Sequence, residues 1–211
     1  MKMHGISESK FQTEVKPIMQ KVFRGNSEWD PVFRPEMNLR RIIYPLRPYV
    51  GDESFEHLLH SIQVAASHVQ DRGCFFSEIH DYPREFNHAY LTFPELVKGF
   101  KSPKKEGSKS FWEIDMEFSN YFMLYSEKGN WGLISSFEHF GLLGGMKEFM
   151  GIIQTQLPTI ENQTYEFLRD FRGDPTETKS ISKTRPIIEG MLKHIYDASK
   201  AEQLLRKTGW D

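Results

Sequence analysis

The side chains with the strongest claim to chemistry are a row of carboxylates. Between Phe111 and Phe118, Glu113, Asp115 and Glu117 alternate with Trp112, Ile114, Met116 and Phe118. Period-two alternation puts the apolar residues on one face of a strand and the acids on the other. Same-face residues sit about 7 Å apart, so the acids would form a negative ridge roughly 14 Å long. Like charges that close repel, and a basic partner would relieve the repulsion and be steered toward it. Glu113, Asp115, Glu117 and Glu138 are therefore the expected partner-binding residues. General acid/base work by the same carboxylates would need a cleft, which nothing in the sequence supplies.

A second constellation is Glu78-Ile79-His80-Asp81 with His88 downstream. Glu78 and His80 would share a strand face, and His88 would return from a loop. Two histidines and a carboxylate can hold zinc or iron with positions left open for water. A metal-dependent enzyme with ligands around Glu78, His80 and His88 is thus the alternative to a binding module. His57, His60 and His68 fall on one helix face opposite an apolar stripe, so they point to water. The distance from His57 to His68, roughly 16 Å along the axis, rules out a shared ion. Cys74 has no activating signature and reads as a small buried hydrophobe. Gly141-Leu142-Leu143-Gly144-Gly145 has neither the lysine of a phosphate loop nor a dinucleotide spacing, and reads as a strand-to-helix corner. No catalytic residue, metal ligand set or cofactor is assigned.

The elements that must hold these residues follow from periodicity. Phe11, Val15, Ile18, Met19, Val22 and Phe23 have helical spacing that Pro17 interrupts, so the helix starts or kinks there and closes at Gly25-Asn26. Leu39–Tyr44 is a short strand. A helix is expected from about Ser54, as N-cap, to Gln70, with Gly73 as its stop. Its stripe is Phe55, Leu58, Leu59, Ile62, Ala65, Ala66 and Val69. Cys74–His80 reads as a strand, and Thr92-Phe93-Pro94-Glu95 has capping-box spacing for a helix to about Lys98. Residues 120–126 continue the acidic strand or turn back on it at Ser119-Asn120, and with a strand at Trp131–Phe137 they flank a Glu127-Lys128-Gly129-Asn130 hairpin loop. Helices follow from Met146 to Gln156, from Thr159 to Phe171, and from Arg185-Pro186 to the C-terminus. Polar stretches 101–110 and 173–184 read as mobile loops.

These elements predict one α+β domain over 1–211: an antiparallel sheet with helices mainly on one face and helical elements at both ends. The chain has 211 residues, enough for a core without staples. Its 27 basic and 29 acidic side chains exclude a generic nucleic-acid binder, which carries a basic excess. Residues 111–160 alone hold six acids against two bases, a potential suited to a basic partner. One cysteine and the lack of an apolar run of signal-peptide or membrane-spanning length lead to the expectation of a soluble cytoplasmic protein.

The segment Tyr125-Ser126-Glu127-Lys128-Gly129-Asn130-Trp131-Gly132-Leu133-Ile134-Ser135-Ser136, followed by Gly141-Leu142-Leu143-Gly144-Gly145, resembles bacterial immunity proteins of polymorphic toxin systems. The shared features are a strand, a Gly-Asn-Trp-Gly-like turn and a later Gly-Gly before a helix, within residues 111–145. The resemblance implies a small cytoplasmic protein that binds and blocks a secreted toxin domain, often a nuclease, and the acidic sheet suits the usually basic surface of such a domain. It transfers no individual binding residue. A third expectation is an oligomer that packs its aromatic sheet face on a copy of itself.

Overall fold

The computed structural model describes residues 4–47, 52–79, 88–101, 121–173 and 178–210. Among the described residues, seven strands form one antiparallel sheet in the order β1-β4-β3-β5-β6-β7-β2. They are β1 (His4–Gly5), β2 (Leu39–Ile43), β3 (Gly73–Glu78), β4 (His88–Thr92), β5 (Phe122–Ser126), β6 (Trp131–Ser135) and β7 (Gly141–Gly145). The α+β class and the antiparallel sheet are as expected.

The helices do not gather mainly on one face; they cover both. Phe122 and Leu124 of β5 enter one core, whereas Met123 and Tyr125 enter the other. Leu133 and Ile134 of β6, and Leu143 and Leu142 of β7, divide in the same way. A strand apolar at both parities must be covered twice, and these three strands are buried at every position. One layer consists of α3 (Glu53–His68), α4 (Phe93–Lys101) and α5 (Lys147–Gln156). The opposite core takes Val15 and Val22 from the N-terminal helix, Ile188 and Leu192 from α7 (Thr178–Ile195), and Leu204 from α8 (Ala198–Thr208). Between them α6 (Ile160–Arg172) runs past the β2 edge, giving Ile160 to one core and Phe167 and Leu168 to the other.

That edge is closed by side chains. Gln163 Oε1 accepts the Tyr44 N–H at 3.1 Å, and Arg41 Nη1 donates to the Arg40 carbonyl at 2.7 Å. Side chains bonded to outward groups in this way make the edge a poorer ladder for another chain.

Several local expectations need correction. Asp52, not Ser54, caps α3: its Oδ1 accepts the Phe55 N–H at 2.9 Å. The helix gives way to a left-handed Gln70, and Gly73 opens β3. Around Pro17 the helix continues by widening, with α1 (Glu8–Lys10), a π-turn (Phe11–Val15) and α2 (Lys16–Val22) in succession. The Lys16 N–H reaches back to the Phe11 carbonyl ahead of a proline that has no donor of its own. The capping box is as read: Glu95 Oε2 accepts from the Thr92 N–H at 2.9 Å and hydroxyl at 2.7 Å.

Gly141–Gly145 is strand β7, not a corner. Its glycines let aromatic rings lie against the sheet: a Cβ on Gly144 would come within 2.8 Å of the Phe33 ring. Gly132 of β6 has the same reason, with Phe23 at 2.5 Å. The last long helix starts at Thr178 and passes through Pro186, so Thr178–Thr184 is helical where a loop was expected. Asp197 then caps α8 as a separate helix, its Oδ1 accepting the Lys200 N–H at 2.7 Å. Residues 102–110 and 174–177 lie outside the described residues. Among the described residues, no helix is long and apolar enough to cross a membrane.

Candidate functional site

Of the four expected partner-binding residues, Glu138 is described and exposed; Glu113, Asp115 and Glu117 lie outside the described residues, ahead of Tyr121 in the chain. Glu138 sits in the turn joining β6 to β7. Ser136 shapes that turn by donating its hydroxyl to the buried Glu28 carboxylate at 2.6 Å and accepting the Glu138 N–H at 3.2 Å. His139 takes a φ of 57°, which turns the chain back into β7.

The turn carries Phe137, a phenylalanine 54% exposed. Its ring leans on Tyr121 with centroids 5.1 Å apart and planes at 45°. Tyr121 donates its hydroxyl to the Asn26 carbonyl. Burial, then Glu28 and more weakly Asp30, hold its phenol well above the ordinary tyrosine range. Asp30 is itself exposed. This end of the sheet therefore presents two aromatic rings beside the exposed carboxylates of Asp30 and Glu138. Among the described residues nothing there is arranged as an acid/base pair; what the arrangement offers is recognition of an apolar group next to positive charge.

The Glu78, His80 and His88 set is not assembled. Residues opposite one another in a ladder share a face, and His88 pairs with Ser77, so Glu78 one position on faces the other side. Glu78 pairs with Phe122 on the Cys74 and Phe76 face. His80 lies outside the described residues. Among the described residues, no group of three or more His, Cys, Asp or Glu is placed to hold a metal ion. His57, His60 and His68 are exposed, and Cys74 is fully buried, its thiol pushed up by that burial.

His88 serves a different arrangement. Its Nδ1 lies 2.9 Å from Ser77 Oγ, which is 2.9 Å from the Tyr125 hydroxyl, while Glu8 Oε2 stands 4.0 Å from Nε2. Carboxylate, imidazole and hydroxyl in a line are the components of an activated serine. Here, however, Ser77 is 3% exposed and Tyr125 is fully buried, so no substrate carbonyl reaches the hydroxyl. The Phe11 ring, stacked 3.4 Å from His88, seals the same side. Burial lowers the His88 pKa against the pull of Glu8, which fits a neutral ring in a structural hydrogen-bond chain.

Two polar nodes, one buried and one half-buried, had no signal in the sequence. Asp71, 4% exposed, accepts the Ser126 hydroxyl and the Trp131 indole N–H on Oδ2, both at 2.8 Å, while Oδ1 is buried without a partner among the described residues. Burial raises its pKa, and the two hydrogen bonds only partly offset that. His194 of α7 and Arg40 of β2 form the other node, which fixes the segment from Phe33 to Arg40.

No family model, no curated protein and no solved structure matches the chain.

Proposed function

We propose that this chain is a non-enzymatic protein-binding module which neutralises a basic toxin domain in the bacterial cytoplasm, as an immunity protein does. The exposed Phe137 resting on Tyr121 carries this reading. Burying a phenylalanine is worth about 1.5–3 kcal/mol, and such aromatic anchors concentrate the energy of protein interfaces. Asp30 and Glu138 supply a carboxylate rim, which favours a basic partner and speeds encounter.

Affinity capture from the source cell's lysate at low salt, followed by a salt gradient, tests the proposal. The expected result is a basic protein that the wild type retains, that salt releases, and that Phe137→Ala and Glu138→Lys fail to hold. Identical retention by wild type and both variants would overturn it.

A further inference from the structure

A separate cleft of about 370 Å³ opens between β2, α6 and α8. Arg41, Glu161, Thr164, Tyr165, Tyr196 and Lys200 line it, with Leu204 as an apolar patch. Arg41 is fixed in place and only 18% exposed. Its Nε pairs with Glu161 Oε1 at 2.6 Å, its Nη1 holds the Arg40 carbonyl, and its guanidinium stands 5.9 Å from the Tyr196 ring centroid. Tyr196 is anchored in turn by its hydroxyl, 2.6 Å from Thr164 Oγ1.

Three donors around this cleft have no partner among the described residues: Arg41 Nη2, the Lys200 ammonium and the Tyr165 hydroxyl. Glu161 is spent on Arg41, so Lys200 leaves the cleft with one uncompensated positive charge. Three unspent donors, two of them cationic, match the oxygens of a tetrahedral anion better than the two oxygens of a carboxylate. The volume lies at the small end of ligand pockets and leaves room beyond the anion for an organic group against Tyr196 and Leu204. We propose that this cleft binds a small organic phosphate monoester through Arg41, Lys200 and Tyr165.

Calorimetric titration of the full chain with phenyl phosphate, inorganic phosphate and phenol tests the assignment. Phenyl phosphate is expected to bind saturably and more tightly than inorganic phosphate, and phenol not to bind. Lys200→Ala should weaken phenyl phosphate about tenfold and Tyr165→Phe several-fold, the loss of one charged and one neutral hydrogen bond. Both side chains are only partly buried, so unchanged circular dichroism accompanies the expected result. Absence of saturable binding up to roughly 10 mM phenyl phosphate, or affinity unaltered by Lys200→Ala, overturns the proposal. Equal affinity for inorganic phosphate overturns the organic half of it.

Discussion

His194 Nε2 accepts the backbone N–H of Phe33 at 3.0 Å, tying the penultimate helix to the loop that precedes the edge strand. An imidazole nitrogen that accepts carries no proton, so the ring is neutral with its proton on Nδ1. Arg40 Nη1 lies 3.2 Å from that Nδ1, but two donors cannot bond each other; the guanidinium donates instead to the His194 carbonyl. Arg40 also holds the Met37 carbonyl at 2.7 Å and the Arg34 carbonyl at 3.1 Å. One neutral histidine and one arginine thus organise the whole 33–40 segment.

This node predicts acid sensitivity. Burial, then the charges of Arg40 and Arg24, depress the His194 pKa from 6.5 to about 4. A histidine with a depressed folded-state pKa binds its proton more readily when unfolded, so stability falls as pH falls. The contribution is complete above pH 6.5, declines through the window down to about 4, and is gone below it. His194→Gln keeps an acceptor for the Phe33 N–H and removes the titration. Urea unfolding from pH 7.5 to 4 should therefore show a shallower fall in midpoint for the variant than for the wild type. Parallel curves would mean that His194 does not titrate in this range.

Asp71 predicts the opposite slope. Its raised pKa means that the folded state holds the proton more tightly than the unfolded chain, so stability is lost as pH rises through the folded-state value. An ionised carboxylate with one orphaned buried oxygen is the costly species. Asp71→Asn keeps an oxygen for Ser126 and Trp131 and cannot ionise. The stability difference between variant and wild type should move in favour of Asn as pH rises above the ordinary aspartate value of 3.8. Asp71→Ala instead leaves the indole N–H and Ser126 hydroxyl unmatched, a loss of about 2–3 kcal/mol in equilibrium unfolding.

What the sequence made legible was set by local periodicity and local capping. The α3 stripe from Phe55 to Ala66, the hairpin at Gly129 and the Thr92–Glu95 box each carry their signal within a few residues, and each stands in the structure. The polar nodes carry none, because their partners are remote: Asp71 meets Trp131 sixty positions on, and His194 meets Phe33 across 161. Glu78 and His88 were misjudged because sharing a metal requires sharing a sheet face, and which face His88 takes depends on its pairing with Ser77. Phe137 and Tyr121 come together only through the ladder of β5 with β6, so their joint surface had no contiguous motif.

The glycines of β7 were misread for a related reason: a close approach by a ring from another element looks, in sequence, like a need for backbone freedom. The structure predicts that Gly144→Ala forces its methyl into the Phe33 ring at 2.8 Å, and Phe33 is fully buried with no space to retreat. Overpacking of this kind costs about 1–3 kcal/mol. Gly151→Ala, in α5 with nothing within 4 Å of the added methyl, is the control and should be neutral or stabilising through helix propensity. Thermal unfolding of the two variants side by side checks the contrast; equal melting temperatures would mean the β7–Phe33 contact is looser than described.

Phe137 separates binding from folding. A ring 54% exposed, in contact with Tyr121 at the surface, contributes little to the core, so Phe137→Ala should shift stability by no more than about 0.5 kcal/mol. If it anchors a partner, the same truncation should weaken the complex at least tenfold, chiefly through faster dissociation. Glu138→Lys acts on the rim, where a charge sets the encounter rate more than the lifetime. It should therefore slow association at low salt and lose that effect once salt screens charges beyond the Debye length. Surface plasmon resonance on the captured partner, run at low and high salt for both variants, separates the two signatures. A Phe137→Ala protein that binds normally, or a Glu138→Lys effect on dissociation alone, would show that the partner docks elsewhere.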